Sequence, residues 1–467
     1  MSLFDKESVR DIAKWAQAQD PAKVSPTAVR QCKLLILDSI GCALAALEEH
    51  EAAHAVAAIG EMGGAAQSSV VGSKNKTSAV NAVLANGILV RQLDLNDFTV
   101  GEGPKGPVIG GHPSDNIPVG LAVGEWKGNS GRDVINAIVL GYELYHRLKD
   151  MYDRKKPWDG TSLSSIVAAS MTGRLMGLNE DQFAHALALA VMRAPTPRLV
   201  RGGKISAAKF LANALVAQSS VTACVLAANG MTGPLAVLDE PTEGMRSIFL
   251  KDIDWKDLVA PVQGEHAIVK SNVKAFPCLA TGQGAAAAGI KMHKLVKGKL
   301  DDIASIDVIM LDHPFIKGQQ DDPDRANPNS REAADHSFYF IPVTAMIDGE
   351  LTPRQFRDDR WFDPQVMGLM KKTSMKSDPT WAKRAPNGYP CSLRVKMKDG
   401  AEHFTEVDYP PGYSKAGSGL VQQEIEDKFD SVTKTAINDA KRKAIKTAVA
   451  NLENEKSIGG LMDLTRG

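Results

Sequence analysis

Two neighbouring motifs carry the side chains best suited to binding an anion and moving protons. RQLDLND at residues 91–97 contains an arginine and two carboxylates three positions apart, and GHPSDN at 111–116 adds a histidine. Arginine holds a carboxylate through a fixed fork of N–H donors, and carboxylates and imidazoles are common acids and bases in enzymes. The same residues also suit helix punctuation, with Asp97 ending one helical region and Ser114 capping the next.

Two lysines also stand out because they lie in apolar surroundings. Lys209, within SAAKFLANALVAQ, either lines a pocket or extends along its helix to water. Upstream of it, Arg198, Arg201 and Lys204 give a local positive field that would attract a carboxylate. Lys274 would lie on a strand face, where a buried ammonium could clamp a carboxylate or transfer a proton. The alternative for Lys274 is a solvated strand face.

Size and charge exclude several classes of function. A chain of 467 residues exceeds one ordinary core, so two or more domains are expected. Because 55 basic and 55 acidic residues balance, bulk charge gives no reason to expect a nucleic acid or a membrane surface as a partner. We find no run of about 18 apolar residues and no signal peptide in the acidic, amphipathic N-terminal stretch. The sequence therefore predicts no transmembrane helix and a cytoplasmic location.

The cysteines argue against several kinds of metal site. All five are scattered along the chain, without a CxxC pair or a close triplet. This spacing disfavours a zinc site, a disulfide framework and an iron–sulfur cluster. The sequence thus predicts no metal and no cofactor, and any reaction would depend on protein acids and bases. The cysteines are Cys32, Cys42, Cys224, Cys278 and Cys391.

The hydrophobic pattern predicts a mainly α fold with a smaller α+β domain. Helical periodicity dominates the early chain, and Ser25 followed by Pro26 is a good helix start. Later, alternation near 304–310 and 393–397 predicts strands, and Asp399-Gly400 predicts a hairpin turn. A strand is expected at 266–273, helices at 332–348 and 364–370, and an exposed loop at 319–329. The predicted domains are a helical N-terminal part (1–264), a small α/β domain (265–412) and a helical C-terminal part (413–467).

Several motifs in a fixed order resemble the MmgE/PrpD family. RQLDLND, GGHPSDN, SAAKFLANA, NGMTGP, VKAFPC and EAADHSFYF follow one another over roughly residues 5–460, and the closest resemblance is to the 2-methylcitrate dehydratase branch. The resemblance implies a large helical domain built from both chain ends, an inserted α/β lid-type domain and a homodimer. It also implies a cofactor-independent hydro-lyase that acts on a small hydroxy di- or tricarboxylate, such as 2-methylcitrate or citrate.

The resemblance further implies which residues form the site. Asp94, His112, Lys209 and Lys274 are expected to be catalytic. His112 would transfer a proton, Asp94 would be its partner or the complementary base, and the lysines would stabilise developing negative charge. His336 is either a substrate contact or a buried, hydrogen-bonded histidine. The expected substrate-binding residues are Arg91, Asn96, Asp97, Ser114, Arg201 and His336.

A few positions depart from the family's pattern. Phe98 stands where relatives often have threonine, and Asp159 lies in the segment where the decarboxylase branch has a histidine. Thr281 and Gln283 occupy the stretch after FPC, where a histidine is common. Other functions therefore stay open: a cis-aconitate decarboxylase, an amino-dicarboxylate (iminodisuccinate) epimerase, or a non-catalytic relative that binds a carboxylate. Asp159 argues against the decarboxylase.

Overall fold

The computed structural model divides the chain into two compact units. We name them the helical unit, Met1–Gln92, Gly110–Ser271 and Ser414–Gly467, and the sheet unit, Leu93–Ile109 and Asn272–Tyr413. The predicted fold class, mainly α with a smaller α/β part, is confirmed. The structure describes residues 6–103, 106–153, 155, 157–201, 206–249, 254–385, 388–415 and 418–467.

The helical unit consists of helices whose starts are set by local sequence. Ser25 caps the second helix by accepting the N–H of Ala28, with Pro26 at the first helical position, as predicted. Such a cap stabilises a helix by about 1 kcal/mol. The first ten helices are α1 (Ser8–Ala18), α2 (Pro26–Ala46), α3 (His50–Met62), α4 (Ala79–Arg91), α5 (Ile117–Lys127), α6 (Gly131–Met151), α7 (Ser164–Met176), α8 (Glu180–Val191), α9 (Ala208–Ala228) and α10 (Met245–Phe249). A short antiparallel pair joins β1 (Ser68–Ser69) and β2 (Lys76–Thr77).

Helix α9 has the length and composition of a membrane-spanning helix. It contains 21 residues, an 18-residue stretch of it has a mean hydropathy of 1.6, and no other helix among the described residues meets both criteria. However, 61% of its apolar stretch is buried, and it packs against α4, α7 and α8. These contacts are those of a core helix, which needs the same apolar composition.

The sheet unit holds a three-stranded and a four-stranded sheet. The first has the order β4-β3-β5, and the second has the order β7-β6-β8-β9 with only β6 and β7 parallel. Its strands are β3 (Asp97–Gly103), β4 (Gly106–Gly111), within which the chain leaves the unit, β5 (Asn272–Val273), β6 (Ile303–Leu311), β7 (Thr373–Asp378), β8 (Cys391–Met397) and β9 (Glu402–Val407). Its helices are α11 (Gln283–Val296), α12 (Pro314–Gln320), α13 (Pro323–Ala326), α14 (Arg331–Ala334), α15 (Phe340–Asp348), α16 (Pro364–Met370) and α17 (Trp381–Arg384).

The chain ends in helices of the helical unit. These are α18 (Gln422–Val432), α19 (Asp439–Ala450) and α20 (Gly459–Thr465). Both α18 and α19 pack against α2, so the two ends of the chain share one core. The buried face of α19 is formed by Ile445 and Val449, which lie four residues apart.

Some local predictions are confirmed and others are wrong. The β8–β9 hairpin is present, and Gly400 at its turn has a φ of +91°, which favours glycine. The predicted strand at 266–273 is mostly a 3-10 helix at Ala267–Lys270, and only β5 forms a paired strand. Residues 319–329 include the end of α12 and all of α13, so they are not the irregular loop that we expected.

Two further predicted boundaries differ from the structure. The predicted helix at 332–348 is interrupted, because α14 ends at Ala334 and α15 begins at Phe340. Residues 93–109, which we expected in the helical N-terminal part, group with the sheet unit. The reason is that β3 pairs with β5, far along the sequence, and sequence adjacency to α4 gave no sign of this pairing.

A buried ion pair in the helical unit predicts a large effect on stability. Lys428 Nζ of α18 lies 2.5 Å from Asp38 Oδ1 of α2, with the two side chains 6% and 1% exposed. Lys428→Met leaves a buried carboxylate without its cation, so we expect a loss of about 3–5 kcal/mol in urea unfolding. Lys446→Met is the matched control, since its pair with Asp430 is 25% and 42% exposed and such pairs contribute about 0–1 kcal/mol. Equal losses would contradict the prediction.

His146 of α6 predicts a pH-dependent loss of stability. Its Nε2 lies 3.2 Å from Ser271 Oγ, and burial lowers the pKa of the imidazole from its usual 6.5 to about 3. The unfolded chain therefore binds a proton first as the pH falls. Stability is fully present above pH 6.5 and falls towards pH 3, by at most about 1.4 kcal/mol per pH unit from this group. In His146→Gln, the urea concentration at the unfolding midpoint should change less between pH 6.5 and 4 than in the parent protein. The same pH dependence of the midpoint in both proteins would contradict this.

Candidate functional site

A buried ion pair forms the centre of the candidate site in the sheet unit. Lys274 Nζ lies 2.7 Å from Asp94 Oδ1 and 2.8 Å from the Asp94 carbonyl oxygen, and it donates to both. Lys274 is only 1% exposed, so the alternative of a solvated strand face is wrong. Two of the three N–H donors of this ammonium are thus directed at a single residue.

The sheet register explains how two residues so far apart in sequence meet. In the antiparallel pairing of β3 with β5, Asp97 is opposite Val273, so the residue after β5 continues alongside the residues before β3. Asp94 has a φ of +49°, a left-handed conformation that aspartate tolerates better than most residues. This turn presents its carbonyl oxygen and its carboxylate to the same ammonium.

A second charged pair lies beside the first. His336 Nδ1 donates to Asp335 Oδ1, and both residues fall in the break between α14 and α15. Asp335 is 1% exposed at its side chain and His336 is 17% exposed. His336 is thus hydrogen-bonded, as one of our two interpretations required, yet its ring remains accessible.

The two pairs form one cluster of titratable groups. A carboxylate oxygen of Asp94, one of Asp335 and a ring nitrogen of His336 all lie within 4.8 Å of one another. These ligand types could hold a divalent cation. The ammonium of Lys274 already donates to Asp94 Oδ1, however, so a metal ion bound there would lie beside a positive charge. Proton transfer is the chemistry that the arrangement fits without any rearrangement.

Cys278 lies near this cluster but does not take part as a nucleophile. Burial raises the pKa of its thiol well above the usual range, so the thiol stays protonated. Gln283 bonds the backbone around it, accepting from the N–H of Phe276 and donating to the carbonyl oxygens of Phe276 and Cys278. Gln283, where relatives often have histidine nearby, therefore fixes the loop.

The remaining predicted residues of the sheet unit lie in its interior. Asn96, Asp97 and Phe98 are fully buried at the start of the unit, and β3 begins at Asp97. Asp97 therefore does not end a helix, because α4 ends at Arg91. Phe98 packs with Ala280 and with Tyr413, whose ring is T-shaped to it at a centroid distance of 5.4 Å, and its side chain has no hydroxyl for the contact that a threonine could make.

In the helical unit, the arginine of the first motif has an acidic partner. Arg91 Nε and Asp115 Oδ2 lie 3.9 Å apart, and both side chains are buried. Asn213 of α9 donates its amide to the Asp115 carbonyl oxygen at 3.0 Å, which fixes the backbone of the second motif. The guanidinium of Arg91 is thus compensated by a carboxylate of its own unit.

His112 is partly buried, and its backbone is held by a tyrosine. Its N–H donates to Tyr145 Oη at 3.1 Å. Gly111, at a φ of +120°, allows this contact, because a Cβ there would lie 2.1 Å from the same oxygen. Ser114 is not the helix cap that we expected: it lies inside a 3-10 helix at Pro113–Asn116, and α5 begins without a side-chain cap.

Lys209 and Arg201 differ in their surroundings. Lys209 of α9 is 4% exposed, so it does not extend to water along its helix. Arg201 Nε lies 2.8 Å from Asp159 Oδ2, and Asp159 Oδ1 also accepts the N–H of Thr161. The carboxylate of Asp159 thus has local structural contacts. Lys204, the third member of the predicted positive field, lies outside the described residues.

Sequence reasoning missed two acidic residues. Asp335 and Asp115 each stand next to a residue that we had singled out, yet their partners depend on side-chain direction and not on residue type. The sequence did contain a signal for each aspartate. Asp335 is adjacent to the predicted site residue His336, and Asp115 lies in the same motif as His112.

Comparison with known proteins identifies the family. The family model described as the MmgE/PrpD N-terminal domain matches residues 10–257, and that of the MmgE/PrpD C-terminal domain matches residues 276–454. The chain is 26% identical over 400 residues to a cis-aconitate decarboxylase of Homo sapiens, covering 83% of this chain and 79% of that protein.

Two relatives that are named for a different activity are similar to this chain to a comparable degree. A mitochondrial 2-methylcitrate dehydratase of Yarrowia lipolytica is 24% identical, covering 87% of this chain and 80% of the relative. A 2-methylcitrate dehydratase of Salmonella typhimurium is 22% identical, covering 91% of this chain and 89% of the relative. Together with the two matching domains, these similarities show that the chain belongs to the MmgE/PrpD family.

Proposed function

We propose that this chain is a hydro-lyase that removes water from a small hydroxy di- or tricarboxylate such as 2-methylcitrate or citrate. The observation that carries the proposal is the cluster of Asp94, Lys274, Asp335 and His336, in which an ion pair and a carboxylate–imidazole pair lie side by side. Relatives named as dehydratases and as decarboxylases, both of them lyases, support the reaction class.

The proposed reaction needs a base at carbon and stabilisation of negative charge. Removing a proton beside a carboxylate gives that carbon carbanion character, which nearby cations stabilise. We assign this stabilisation to Lys274 and Lys209, both buried. We assign Asp94 the role of holding the Lys274 ammonium in place, and not that of a general base. His112 is assigned the proton of the leaving hydroxyl group.

Binding of the substrate carboxylates is a separate requirement. We propose that Arg91 and Arg201 contribute positive charge to it, while Asn96, Asp97, Ser114 and His336 stay predicted contacts. We also propose that the enzyme is a cytoplasmic homodimer without a cofactor. Light scattering after size-exclusion chromatography tests the dimer, and activity after treatment with a chelator tests independence from metal ions.

A second candidate is decarboxylation of cis-aconitate. It is supported by the two relatives from Homo sapiens and Mus musculus, which are named cis-aconitate decarboxylase and are each 26% identical to the chain. Against it, Asp159 replaces the histidine that we expect in the decarboxylase branch, and its carboxylate bonds Arg201 and Thr161. We therefore prefer dehydration.

An ultraviolet assay for alkene formation tests the proposed function. Chelator-treated enzyme would be given 2-methylcitrate, citrate and cis-aconitate in parallel, with carbon dioxide measured in each reaction. We expect alkene absorbance from 2-methylcitrate or citrate without carbon dioxide. Carbon dioxide from cis-aconitate would favour the second candidate. No reaction with any of the three substrates would reject both dehydration and decarboxylation. It would favour an epimerase or a non-catalytic carboxylate-binding relative.

Replacement of Lys274 tests the ion pair. Lys274→Met removes the charge, so we expect kcat to fall about 10²–10³-fold, as for loss of one electrostatic group at a reacting centre. Lys291→Met is the matched control, because Lys291 is an exposed lysine of the sheet unit that donates to the Glu406 carbonyl oxygen. Steady-state kinetics and thermal unfolding would be measured for both variants. A folded Lys274→Met enzyme with unchanged kcat would contradict the assignment.

A further inference from the structure

We infer that Asp335 and His336 form a carboxylate–imidazole dyad in which His336 removes the proton from carbon and Asp335 positions its ring. The inference rests on the proposed function and deepens it by naming the base. Nothing in the motif pattern distinguished such a base from a substrate contact. His336 is the catalytic residue of the pair, and Asp335 acts through it.

The hydrogen bond within the pair sets which nitrogen can accept a proton. An ionised carboxylate can only accept a hydrogen bond, so the contact of Asp335 Oδ1 with His336 Nδ1 places the hydrogen on Nδ1. The lone pair of the neutral ring then lies on Nε2. Because Asp335 is 1% exposed and His336 is 17% exposed, the orienting carboxylate is shielded while the ring can be approached.

The backbone holds the dyad in a fixed direction. The N–H of Asp335 donates to the Arg331 carbonyl oxygen at 2.9 Å, at the end of α14. The carbonyl oxygen of Asp335 accepts from Leu279 N–H at 3.0 Å, which ties it to the segment that follows Lys274. A catalytic group supported in this way keeps its geometry better than one on an unrestrained loop.

The neighbouring pair makes His336 a better base than Asp94. Both the Oδ1 and carbonyl oxygens of Asp94 receive N–H groups of Lys274, so a proton on that carboxylate would compete with a buried ammonium. His336 has a carboxylate as its partner, and this carboxylate stabilises the imidazolium that forms when Nε2 takes a proton. The contacts therefore favour proton uptake by His336.

The step balances as an elimination. His336 Nε2 takes the proton from the carbon beside the substrate carboxylate, and the electron pair of that C–H bond forms the new C=C bond. The hydroxyl group leaves with the electron pair of the C–O bond and takes a proton from an acid, for which His112 is the predicted group. Water departs, His336 returns its proton to solvent, and the acid recovers one.

Three variants test the dyad. Asp335→Asn keeps the size of the side chain but removes its charge, and His336→Gln removes the base. For 2-methylcitrate we expect kcat to fall about 10²–10⁴-fold in each, with KM changed by less than about threefold. The double variant should be no slower than His336→Gln alone, because Asp335 acts only through His336. A structural role for Asp335 would instead give additive losses.

Two comparisons separate catalysis from folding. His293→Gln is the matched control, because His293 Nδ1 bonds the Met346 carbonyl oxygen in the same unit, and its kcat should be unchanged. Asp335→Glu keeps a carboxylate and should retain activity within about tenfold of the parent protein, even where Asp335→Asn unfolds. A folded Asp335→Asn enzyme with kcat within about threefold of the parent would overturn the dyad.

A readout without turnover keeps this inference separable from the proposed function. Nitrogen-15 NMR of histidine-labelled protein, with His336→Gln to assign the signal, reports the tautomer of His336. We expect the Nδ1–H form in the parent protein and a mixture in Asp335→Asn. This signature in a protein inactive on all three carboxylates would reject the substrate class and keep the dyad. An Nε2–H form in the parent protein would overturn the dyad.

Discussion

The ammonium of Lys274 is the contact on which the rest of the sheet-unit site depends. A buried ammonium is costly unless it is paired and hydrogen-bonded, and both of the acceptors described for it belong to Asp94. The left-handed turn at Asp94 and the pairing of β3 with β5 bring these atoms together. The position of Lys274 therefore fixes that of Asp94. The neighbouring polar groups are arranged around the Lys274 ammonium, which is buried away from water.

The balance of charge decides what this cluster does well. The carboxylates of Asp94 and Asp335 lie beside the imidazole of His336, and the ammonium of Lys274 donates to Asp94. A carboxylate next to an imidazole stabilises the imidazolium, whereas two carboxylates do little to hold a polyanion. The cluster is thus suited to a base, whereas substrate carboxylates need cations elsewhere. Arg91 and Arg201 are the residues to which we assign that requirement.

Local sequence predicted what local interactions decide. The Ser25–Pro26 helix start and the Asp399-Gly400 hairpin depend on neighbouring residues, and both were predicted correctly. Pairing of Lys274 with Asp94 depends on a strand register between segments 180 residues apart in sequence, which residue types do not encode. The Asp335–His336 pair was hidden by the predicted helix at 332–348, since successive side chains on a helix diverge by about 100°. The structure instead ends α14 at Ala334 and places the two side chains in contact.

The difference between elimination and decarboxylation lies in the proton-transfer groups. Elimination needs a base that takes a proton from carbon, whereas loss of carbon dioxide creates negative charge that needs an acid. An imidazole whose Nδ1 is held by a buried carboxylate is built to accept a proton at Nε2. Identities of 22–26% to relatives of both kinds do not separate these reactions. Release of carbon dioxide separates them, because elimination keeps every carbon of the substrate and decarboxylation does not.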